Sequence, residues 1–399
     1  MRALLVSRHP YPMQTTLRRN VAELLSHGVA VDLVCLTPRL TCGARPTGEP
    51  RLRLFGLPMR QRRSHAFWYP VHYASFFVWA FLLVSVLALI RRYDVVEVDN
   101  TPDFLIFTAL VPRWRRMRVV LFAMELMPEL TAARLGVGGD ALAVRVAVRL
   151  ERLAAGRADH VITVSNPCRR ILVGRGLDPA KVSVVPNSHR VSGLPRPWPA
   201  SPPFLVIQTT LIPRYGVHVA IQAFAELHQE RPDLTLEILG EGEAQSSLVD
   251  LVDRLGLWNH VLFSGRYLPW YEMIDRVRQA TLGIVPILAD GYGDLVLPNK
   301  ILEFAALRIP TVCSRLPSIE EQFGPDTLAY FEPGDARGLA AQARRLLADP
   351  EGARQQAIRA ELAMTDLRWE SAAPRYLEAL GLASPAPIPR RLEDHAAAV

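Results

Sequence analysis

The sequence predicts an α/β protein of two domains, each a parallel sheet covered by helices. Short apolar strand segments alternate with helical segments along most of the 399 residues. The alternation stops in the proline-rich stretch 191–203 and then begins again. The hydrophobic content of 50% is enough for two cores of ordinary size. We therefore predict a first domain at 1–190, a linker at 191–203 and a second domain at 204–368.

The first domain is expected to start in a strand. The predicted strands are 3–6, 31–35, 94–98, 119–122 and 161–164, with a helix at 17–25. The apolar run at the N-terminus is too short for a signal peptide. Four cysteines without a Cys-x-x-Cys pair fit a reducing cytoplasm. We expect a cytoplasmic protein, or a peripheral one on the inner face of the membrane.

The second domain repeats the pattern after the linker. Its predicted strands are 204–207, 235–239, 261–263, 283–285 and 311–313, and its predicted helices are 217–228, 244–255, 270–279, one from Asn299, 335–348 and 351–363. A last helix at 369–381 is expected to pack back on the first domain, and 383–399 is expected to be a disordered tail. Two such Rossmann-like domains would face each other across a cleft, with ligands at the carboxyl ends of the strands.

The segment from Asp294 to Pro310 is the most informative stretch of the sequence. Pro298 suits the start of a helix, Asn299 is a candidate cap, and Pro310 would stop that helix. Free N–H groups at a helix start, with Lys300 beside them, make a phosphate site, and Glu303 one turn later can accept hydrogen bonds from a ribose diol. The sequence has only two lysines, Lys181 and Lys300, although Lys+Arg number 46. An ordinary surface lysine on an amphipathic helix is the alternative interpretation.

Two further turns of the second domain are candidates for the same ligand. Thr210 and Arg214 follow the first strand and precede a helix, where a hydroxyl, backbone N–H groups and a guanidinium can meet a diphosphate. Gly265 permits a close backbone approach, and a base could lie against Arg266 or Tyr267. Simple strand–helix turns would look the same.

Polar residues also follow the strands of the first domain. Carboxylates lie in 97–103 and 123–129, where an acceptor or a proton transfer is expected, although helix-capping acids would give the same pattern. His9 follows the first strand and could touch a substrate, or could simply be packed.

Several function classes are disfavoured by the sequence. It contains no Gly-x-Gly-x-x-Gly after the first strand, no Walker loop, no Gly-x-Ser-x-Gly and no zinc-spaced His/Cys set, so we expect neither a redox cofactor nor a metal. The net charge of +7 comes from scattered arginines without a basic arm or an RNA-binding motif, so we expect no nucleic acid.

The segment 67–90 is almost entirely apolar and is flanked by arginines. Its length is close to the roughly 20 residues that span a bilayer. We favour a helix docked on the first domain with one face in the membrane interface. A buried or partner-facing helix and a transmembrane helix are the alternatives.

Taken in order, these segments resemble the GT-B glycosyltransferases of family 4, the retaining glycosyl transferase group 1 enzymes, over almost the whole chain. Residues 297–306 resemble the family's donor helix, and 210–217, 238–243 and 330–335 resemble other donor-domain segments. Segments 100–105, 126–130 and 158–165 resemble acceptor-domain segments. The combination is far more specific than any single motif.

The resemblance implies a nucleotide-diphosphate sugar in the second domain, an acceptor in the first, no metal and no cofactor. Glu303 would hold the ribose, while Lys300 and Arg214 would neutralise the leaving diphosphate. The implied catalytic residues are Lys300, Glu303, Arg214 and Glu125. The implied donor-binding residues are Thr210, Arg214, Gly265, Tyr267, Asp294, Pro298, Asn299, Lys300, Ile301, Leu302 and Glu303. The implied acceptor-binding residues are His9, Asp99, Asn100, Met124 and Glu125.

This sequence also departs from the family pattern. Leu295 stands where the first glutamate of the donor motif is usual, so Asp290 or Asp294 would take its role. Met124 stands where a histidine is common. Arg308 stands in a usual glycine position, which requires a left-handed or shifted helix end. Other substituted positions of the family pattern are Thr210 for arginine and Tyr215 for lysine.

We therefore expect a retaining glycosyltransferase that uses a UDP- or GDP-sugar, in a bacterium of high GC content. Its acceptor would be a lipid-linked saccharide or a small molecule, including a thiol or a secondary metabolite. One alternative is a catalytically degenerate GT-B protein that acts as a binding or assembly partner. Another is a nucleotide-sugar epimerase.

Overall fold

The computed structural model describes residues 1–45, 48–58, 69–188, 202–266, 268–295 and 297–382. The chain forms two compact units. Unit 1 comprises Met1–Asn187 and Trp369–Val399, and unit 2 comprises Ser188–Arg368. The greater part of the predicted linker 191–203 and the whole predicted tail 383–399 lie outside the described residues.

Unit 1 is built on an eight-stranded sheet. Its strands are β1 (Arg2–Pro10), β2 (Ala30–Thr37), β3 (Thr41–Ala44), β4 (Leu52–Pro58), β5 (Val95–Asp99), β6 (Arg118–Ala123), β7 (His160–Thr163) and β8 (Val182–Val184). Their order is β3-β4-β2-β1-β5-β6-β7-β8, and the described pairings are parallel except between β3 and β4. Strand order therefore reverses between β1 and β5.

Helices cover the two faces of this sheet. They are α1 (Thr15–Ser26), α2 (Tyr69–Ile90), α3 (Leu110–Trp114), α4 (Met127–Leu135), α5 (Leu142–Ala155), α6 (Asn166–Gly174) and, after unit 2, α14 (Trp369–Ala379). A 3₁₀ segment, Asp103–Ala109, precedes α3. The chain thus returns to unit 1 at its last described helix, and Trp369 and Tyr376 of α14 are at most 1% exposed in the core beside β1, β5 and β6.

Unit 2 is built on a six-stranded parallel sheet. Its strands are β9 (Phe204–Gln208), β10 (Thr235–Leu239), β11 (Val261–Phe263), β12 (Leu282–Val285), β13 (Thr311–Ser314) and β14 (Ala329–Phe331). Their order, β11-β10-β9-β12-β13-β14, is that of a Rossmann sheet, and it reverses between β9 and β12. The helices are α7 (Val217–Glu230), α8 (Gln245–Arg254), α9 (Trp270–Val277), α10 (Asn299–Ala306), α11 (Pro317–Phe323), α12 (Ala336–Ala348) and α13 (Pro350–Ala363).

The core of unit 2 explains why these segments fold as they do. β9 is apolar except for its last residue, and Phe204, Leu205, Val206 and Ile207 are at most 5% exposed because helices cover both faces. α7 places an apolar face on one side of the sheet, and α10 places Ile301, Leu302 and Phe304 on the other.

One detail of the donor-helix prediction is wrong. The cap of α10 is Pro298, which has extended backbone and makes no side-chain capping bond, and Asn299 is already the first helical residue. The helix ends at Ala306, before Pro310, because Arg308 adopts a left-handed φ of +55°. Glycine is usual at this position and readily adopts a left-handed conformation. The left-handed end is one of the two alternatives expected where arginine replaces that glycine.

Candidate functional site

The carboxyl ends of β9 and β12 lie side by side in unit 2, at the point where strand order reverses. Ligands of open α/β sheets bind at such a switch point. The loop after β9, 209–216, packs closely on the loop after β12. Gly216 has a φ of +61°, and a Cβ at this position would lie 1.9 Å from the carbonyl oxygen of Pro286. Only glycine fits here, so the two loops form one rigid wall of the site.

The start of α10 lies at this switch point. Lys300 is in the first turn of α10, and its Nζ lies 5.3 Å from the ring centroid of Tyr215 in the loop after β9. That separation allows a cation–π interaction, which holds the ammonium group beside the helix N-terminus. The first-turn N–H groups and the lysine together form a site suited to an anion such as phosphate.

Glu303 lies one turn further along α10 and is 5% exposed. Gln208 Nε2, at the end of β9, donates a 2.8 Å hydrogen bond to Glu303 Oε2. Burial raises the pKa of Glu303 to about 7, and the Gln208 hydrogen bond and the Lys300 charge only partly oppose that rise. The site therefore holds a carboxyl group whose charge changes near neutral pH.

Arg214, in the loop after β9, is held by partners from the loop after β12. Its Nη2 lies 3.1 Å from Asp290 Oδ2, and its guanidinium carbon lies 5.0 Å from the ring centroid of Tyr292. Asp290 Oδ1 also accepts a 2.7 Å hydrogen bond from the N–H of Gly293. Asp290 therefore both shapes its own turn and neutralises the charge of Arg214.

The turn after β11 lies on the other side of the switch point. Gly265 has a φ of +65°, which suits glycine. A cavity of about 370 Å³ lies near this turn, and its lining includes Ser264, Arg266 and Leu268. Tyr267 lies outside the described residues. The cavity has the size of a small ligand group and borders the region predicted to receive a base.

The remaining donor-binding candidates differ in their exposure. Thr210 and Asp294 are partly exposed in the loops after β9 and β12, whereas the side chains of Ile301 and Leu302 are at most 2% exposed in the core. For these two core residues, only backbone groups can face a ligand.

The candidates of unit 1 gather around Asn100. Its Oδ1 accepts hydrogen bonds from the N–H groups of Met124 (2.9 Å) and Glu125 (3.3 Å), and its Nδ2 donates to Glu125 O (2.5 Å) and to Asp103 Oδ1 (3.0 Å). Asn100 is 2% exposed. Its amide is therefore engaged in joining the turns after β5 and β6, and it positions Met124 and Glu125.

His9 and Asp99 lie at the switch point of unit 1, between β1 and β5. Burial and the charge of Arg8 lower the pKa of His9 to about 4, so the imidazole is neutral at physiological pH. Within the described part of the chain, His9 Nε2 is buried and has no hydrogen-bond partner. Asp99 is 5% exposed, and burial followed by the charge of Glu97 raises its pKa well above the ordinary value.

Sequence reasoning missed three contributors to these sites. Gln208 positions Glu303, Tyr292 lies by Arg214, and Gln14 Nε2 lies 3.8 Å from the sulfur of Met124. Gln208 could have been identified as a candidate site residue, because it is the polar last residue of the otherwise apolar run 204–208. In the residues that the structure describes, no group of three or more His, Cys, Asp or Glu side chains is placed to hold a metal ion.

Comparison with known proteins decides the family. A model described as "Glycosyl transferase 4-like domain" matches residues 13–188, and one described as "Glycosyl transferases group 1" matches residues 202–349. The chain belongs to the group 1 glycosyltransferases. The second match contains the whole switch-point site of unit 2.

Curated proteins similar to this group 1 glycosyltransferase include two from mycobacteria. Glycogen synthase of Mycobacterium tuberculosis is 31% identical over 160 residues, which is 40% of this chain and 37% of that protein. GDP-mannose-dependent alpha-(1-6)-phosphatidylinositol monomannoside mannosyltransferase of Mycolicibacterium smegmatis is 28% identical over 182 residues, 45% of this chain and 47% of that protein. The chain thus spans less than half the length of each of these relatives.

Solved structures confirm that this group 1 glycosyltransferase has the GT-B fold. Sucrose-phosphate synthase of Thermosynechococcus elongatus has a TM-score of 0.71 at 17% identity, with 95% of this chain and 98% of that chain covered. Anabaena HepE in complex with UDP has a TM-score of 0.66 at 17% identity, with 96% and 100% covered.

Proposed function

We propose that this chain transfers a glycosyl group from a UDP- or GDP-sugar, bound by unit 2, to an acceptor bound by unit 1. The observation that carries the proposal is the grouping of Lys300, Arg214 and Glu303 at the β9–β12 switch point. Two cations and a helix N-terminus suit a diphosphate, and a carboxyl one helical turn away suits a ribose diol. The similarity to a GDP-mannose-dependent mannosyltransferase supports this assignment.

In the proposed reaction the bond between the sugar C1 and the diphosphate oxygen breaks, and a bond from C1 to an acceptor oxygen forms. The acceptor proton passes to the leaving diphosphate. Lys300 and Arg214 stabilise the negative charge that develops on that group, because preorganised cations act most strongly where charge appears. They supply this stabilisation without a metal. Attack from the face of the departing diphosphate would retain the anomeric configuration.

Arg214 would change partners during this reaction. Arg214 Nη2 lies 3.1 Å from Asp290 Oδ2, which neutralises its charge. A bound diphosphate would compete for the guanidinium and release the Asp290 carboxylate. In the position of the family's first donor glutamate this sequence has Leu295, so we assign sugar contact to Asp290, with Asp294 as the other candidate.

The acceptor would meet unit 1 at the switch point between β1 and β5. The neutral His9 has an Nε2 with no hydrogen-bond partner among the described residues, and Asn100 sets the turn that carries Glu125. A saccharide, free or carried by a lipid, suits this polar edge, and peripheral membrane contact through 67–90 would serve the lipid-carried form. The curated relatives are synthases and transferases, which does not favour the degenerate-partner or epimerase alternatives.

The proposed function is tested by following nucleotide release. The protein is incubated with UDP-glucose or GDP-mannose, with and without a cell-envelope extract as acceptor, and UDP or GDP is quantified. We expect release that depends on the extract, and proton NMR of the product should show the donor's anomeric configuration. Nucleotide release with an altered free sugar and no acceptor would instead identify an epimerase. No release with either donor, by a protein that binds the nucleotide, would contradict transfer from these donors.

A further inference from the structure

Helix α2 exposes an apolar face that contains no charged residue. None of its 22 residues is Asp, Glu, Lys or Arg. The outward positions Val78, Leu82, Val86 and Leu89 are between 54% and 59% exposed, and their spacing of three or four residues places them in one stripe along the helix. Outward faces of helices on water-soluble domains are normally polar. A continuous exposed apolar stripe marks an interaction surface.

The opposite face of α2 belongs to the core of unit 1. Phe76, Ala80 and Val84 are 0% exposed. α2 between Val71 and Ile90 is long and apolar enough to cross a bilayer by length and composition, and core helices can pass that same criterion. Crossing would remove these side chains from their packing and would separate α2 from the Asp103–Ala109 segment and α3, against which it packs. The helix is therefore suited to contact a membrane surface with its outward stripe alone.

Both ends of α2 are tied to unit 1 by arginines. Arg8 Nη2 donates a 3.0 Å hydrogen bond to Tyr73 Oη, and its guanidinium lies 3.9 Å from the centroid of that ring. At the other end Arg115 Nη1 donates to the carbonyl oxygens of Ala88 and Leu89. The helix that carries the stripe is thus held on unit 1 at both ends, and Tyr73 lies beside Arg8 of β1.

The surroundings of the stripe supply an aromatic ring and positive charge. α3 packs against α2 and exposes Trp114 at 77%. Exposed arginines lie next to these two helices at Arg92, Arg115 and Arg116, while Arg113 within α3 pairs with Asp159 at 3.3 Å. Tryptophan prefers the interface between lipid headgroups and chains, and arginines there attract anionic headgroups.

Helix α5 adds a second surface of the same kind. It packs against the same Asp103–Ala109 segment as α2. Its exposed residues alternate between apolar side chains, Leu142, Val146 and Leu153, and the cations Arg145, Arg149 and Arg152. A basic amphipathic helix of this composition is typical of proteins that lie on anionic membranes.

We propose that unit 1 docks on an anionic membrane leaflet through the α2 stripe, Trp114 and the adjoining arginines, and that the acceptor is carried by a lipid of that leaflet. This inference rests on the proposed function for its second part. Charge complementarity with anionic headgroups selects a membrane over a neutral apolar protein partner. Tyr73, near the start of α2, contacts Arg8 of β1, and the next residue of that strand is His9 at the proposed acceptor edge.

The residues for a test follow from the exposure of the side chains. Phe76 is fully buried, so its replacement would damage the core and would not report on docking. Leu82 and Val86 are exposed, and the double variant L82E/V86E changes the stripe without removing core volume. Leu255 and Leu362 are exposed apolar residues of unit 2, so L255E/L362E is the matched control.

The docking test is flotation with vesicles of phosphatidylcholine and phosphatidylglycerol at 7:3, compared with pure phosphatidylcholine. We expect the full chain to float with the anionic vesicles, the L82E/V86E variant to lose at least tenfold in partition coefficient, and the control to behave as the wild type. Thermal denaturation checks that all three chains are equally folded. Flotation of L82E/V86E equal to that of the wild type overturns the proposal. The proposal is also overturned if the wild-type chain does not float with the vesicles and instead forms a dimer that the L82E/V86E substitutions dissociate.

The acceptor part has its own readout. A labelled sugar donor and extracted envelope lipids in the same vesicles should give label that partitions into organic solvent, and this label should fall with L82E/V86E. Label confined to water-soluble glycan would overturn a lipid-carried acceptor. A wild-type chain that floats with the vesicles but binds no nucleotide would instead contradict the proposed function. Failure of membrane docking and failure of the proposed function can therefore be distinguished.

Discussion

Gln208 Nε2 donates a 2.8 Å hydrogen bond to Glu303 Oε2, and this contact joins the last residue of β9 to the middle of α10. Gln208 is the polar end of an otherwise apolar strand. It fixes the carboxyl group that we assign to the ribose, so it is a positioning residue.

Replacing Gln208 by methionine keeps the volume of the side chain and removes its donor. Hydrogen bonds to charged groups contribute about 1.5–3 kcal/mol, so we expect UDP or GDP affinity to fall about tenfold or more. Isothermal calorimetry measures this, with Gln355→Met on the exposed face of α13 as control. The 2′,3′-dideoxy nucleotide lacks the diol and should show little difference between Gln208→Met and wild type. An equal loss for both nucleotides would mean that Gln208 acts only on the fold.

Nucleotide affinity should depend on pH through Glu303. Burial raises its pKa to about 7, so the group is largely protonated at pH 6 and ionised at pH 8. The ionised form is the stronger acceptor for a ribose diol. We expect affinity to rise several-fold between pH 6 and pH 8, beyond the change that Glu303→Gln shows from titration of the nucleotide itself. Parallel pH profiles for the two proteins would exclude Glu303 as the titrating contact.

Asp290→Asn should separate binding from catalysis. The substitution removes the charge that neutralises Arg214 at 3.1 Å, so the arginine becomes available to a diphosphate. We expect UDP or GDP to bind about twofold to fivefold more tightly, in line with about 0.5–1 kcal/mol for a partly exposed ion pair. If Asp290 also holds the sugar, kcat for transfer should fall. Unchanged binding and unchanged transfer would remove Asp290 from the site.

The parts of this architecture that rest on local pattern were predictable. The runs 235–239 and 261–263 were assigned with their observed bounds, since each is short, rich in apolar residues and followed closely by a glycine. The left-handed end at Arg308 followed from the glycine usually found there. β3, β4, β8, β14 and α11 were not assigned, and neither were α3, α4, α5 and α6. Short strands and helices of five to nine residues carry little periodicity, whereas the 14-residue α5 was missed although its apolar residues recur at helical spacing.

Contacts between side chains that are distant in the sequence could not be predicted. Nothing in the local pattern indicates that Asn100 bonds to the turn at 124–125, or that Asp290 and not Asp294 meets Arg214. The sequence of segment 67–90 indicates a long apolar helix. Which of its side chains are buried, such as Phe76, and which are exposed, such as Leu82, is known only from the structure. Such distinctions depend on which elements pack together.

Unit 1 should lose stability as the pH rises, because of Glu97. Tyr376 Oη donates to its Oε2 at 2.7 Å, and Asn20 Nδ2 lies 3.3 Å from its Oε1. Burial raises the pKa of Glu97 to about 7 despite these bonds and the nearby Arg19. A carboxyl whose folded-state pKa is raised stabilises the fold below its unfolded pKa and loses that contribution as pH rises through the folded pKa.

The stability of the wild type should therefore fall relative to Glu97→Gln between about pH 5 and pH 7, by up to about 1.4 kcal/mol per pH unit. Urea unfolding at several pH values measures this difference. A difference that is constant with pH would show that Glu97 does not titrate in this range.

The donor site is tested most directly by measuring nucleotide binding to the wild type and to two variants, Lys300→Ala and Lys181→Ala. Isothermal calorimetry with UDP, GDP, ADP and TDP should show that UDP or GDP binds to the wild type. We expect the affinity for that nucleotide to fall at least about tenfold in Lys300→Ala and to stay unchanged in Lys181→Ala. The reason is that only Lys300→Ala loses a charge-assisted contact to phosphate. Lys181 is the other lysine of the chain and lies in unit 1, in the turn Pro179–Lys181. Equal affinities for all three proteins, or no binding of any nucleotide, would contradict a nucleotide-sugar site at the start of α10.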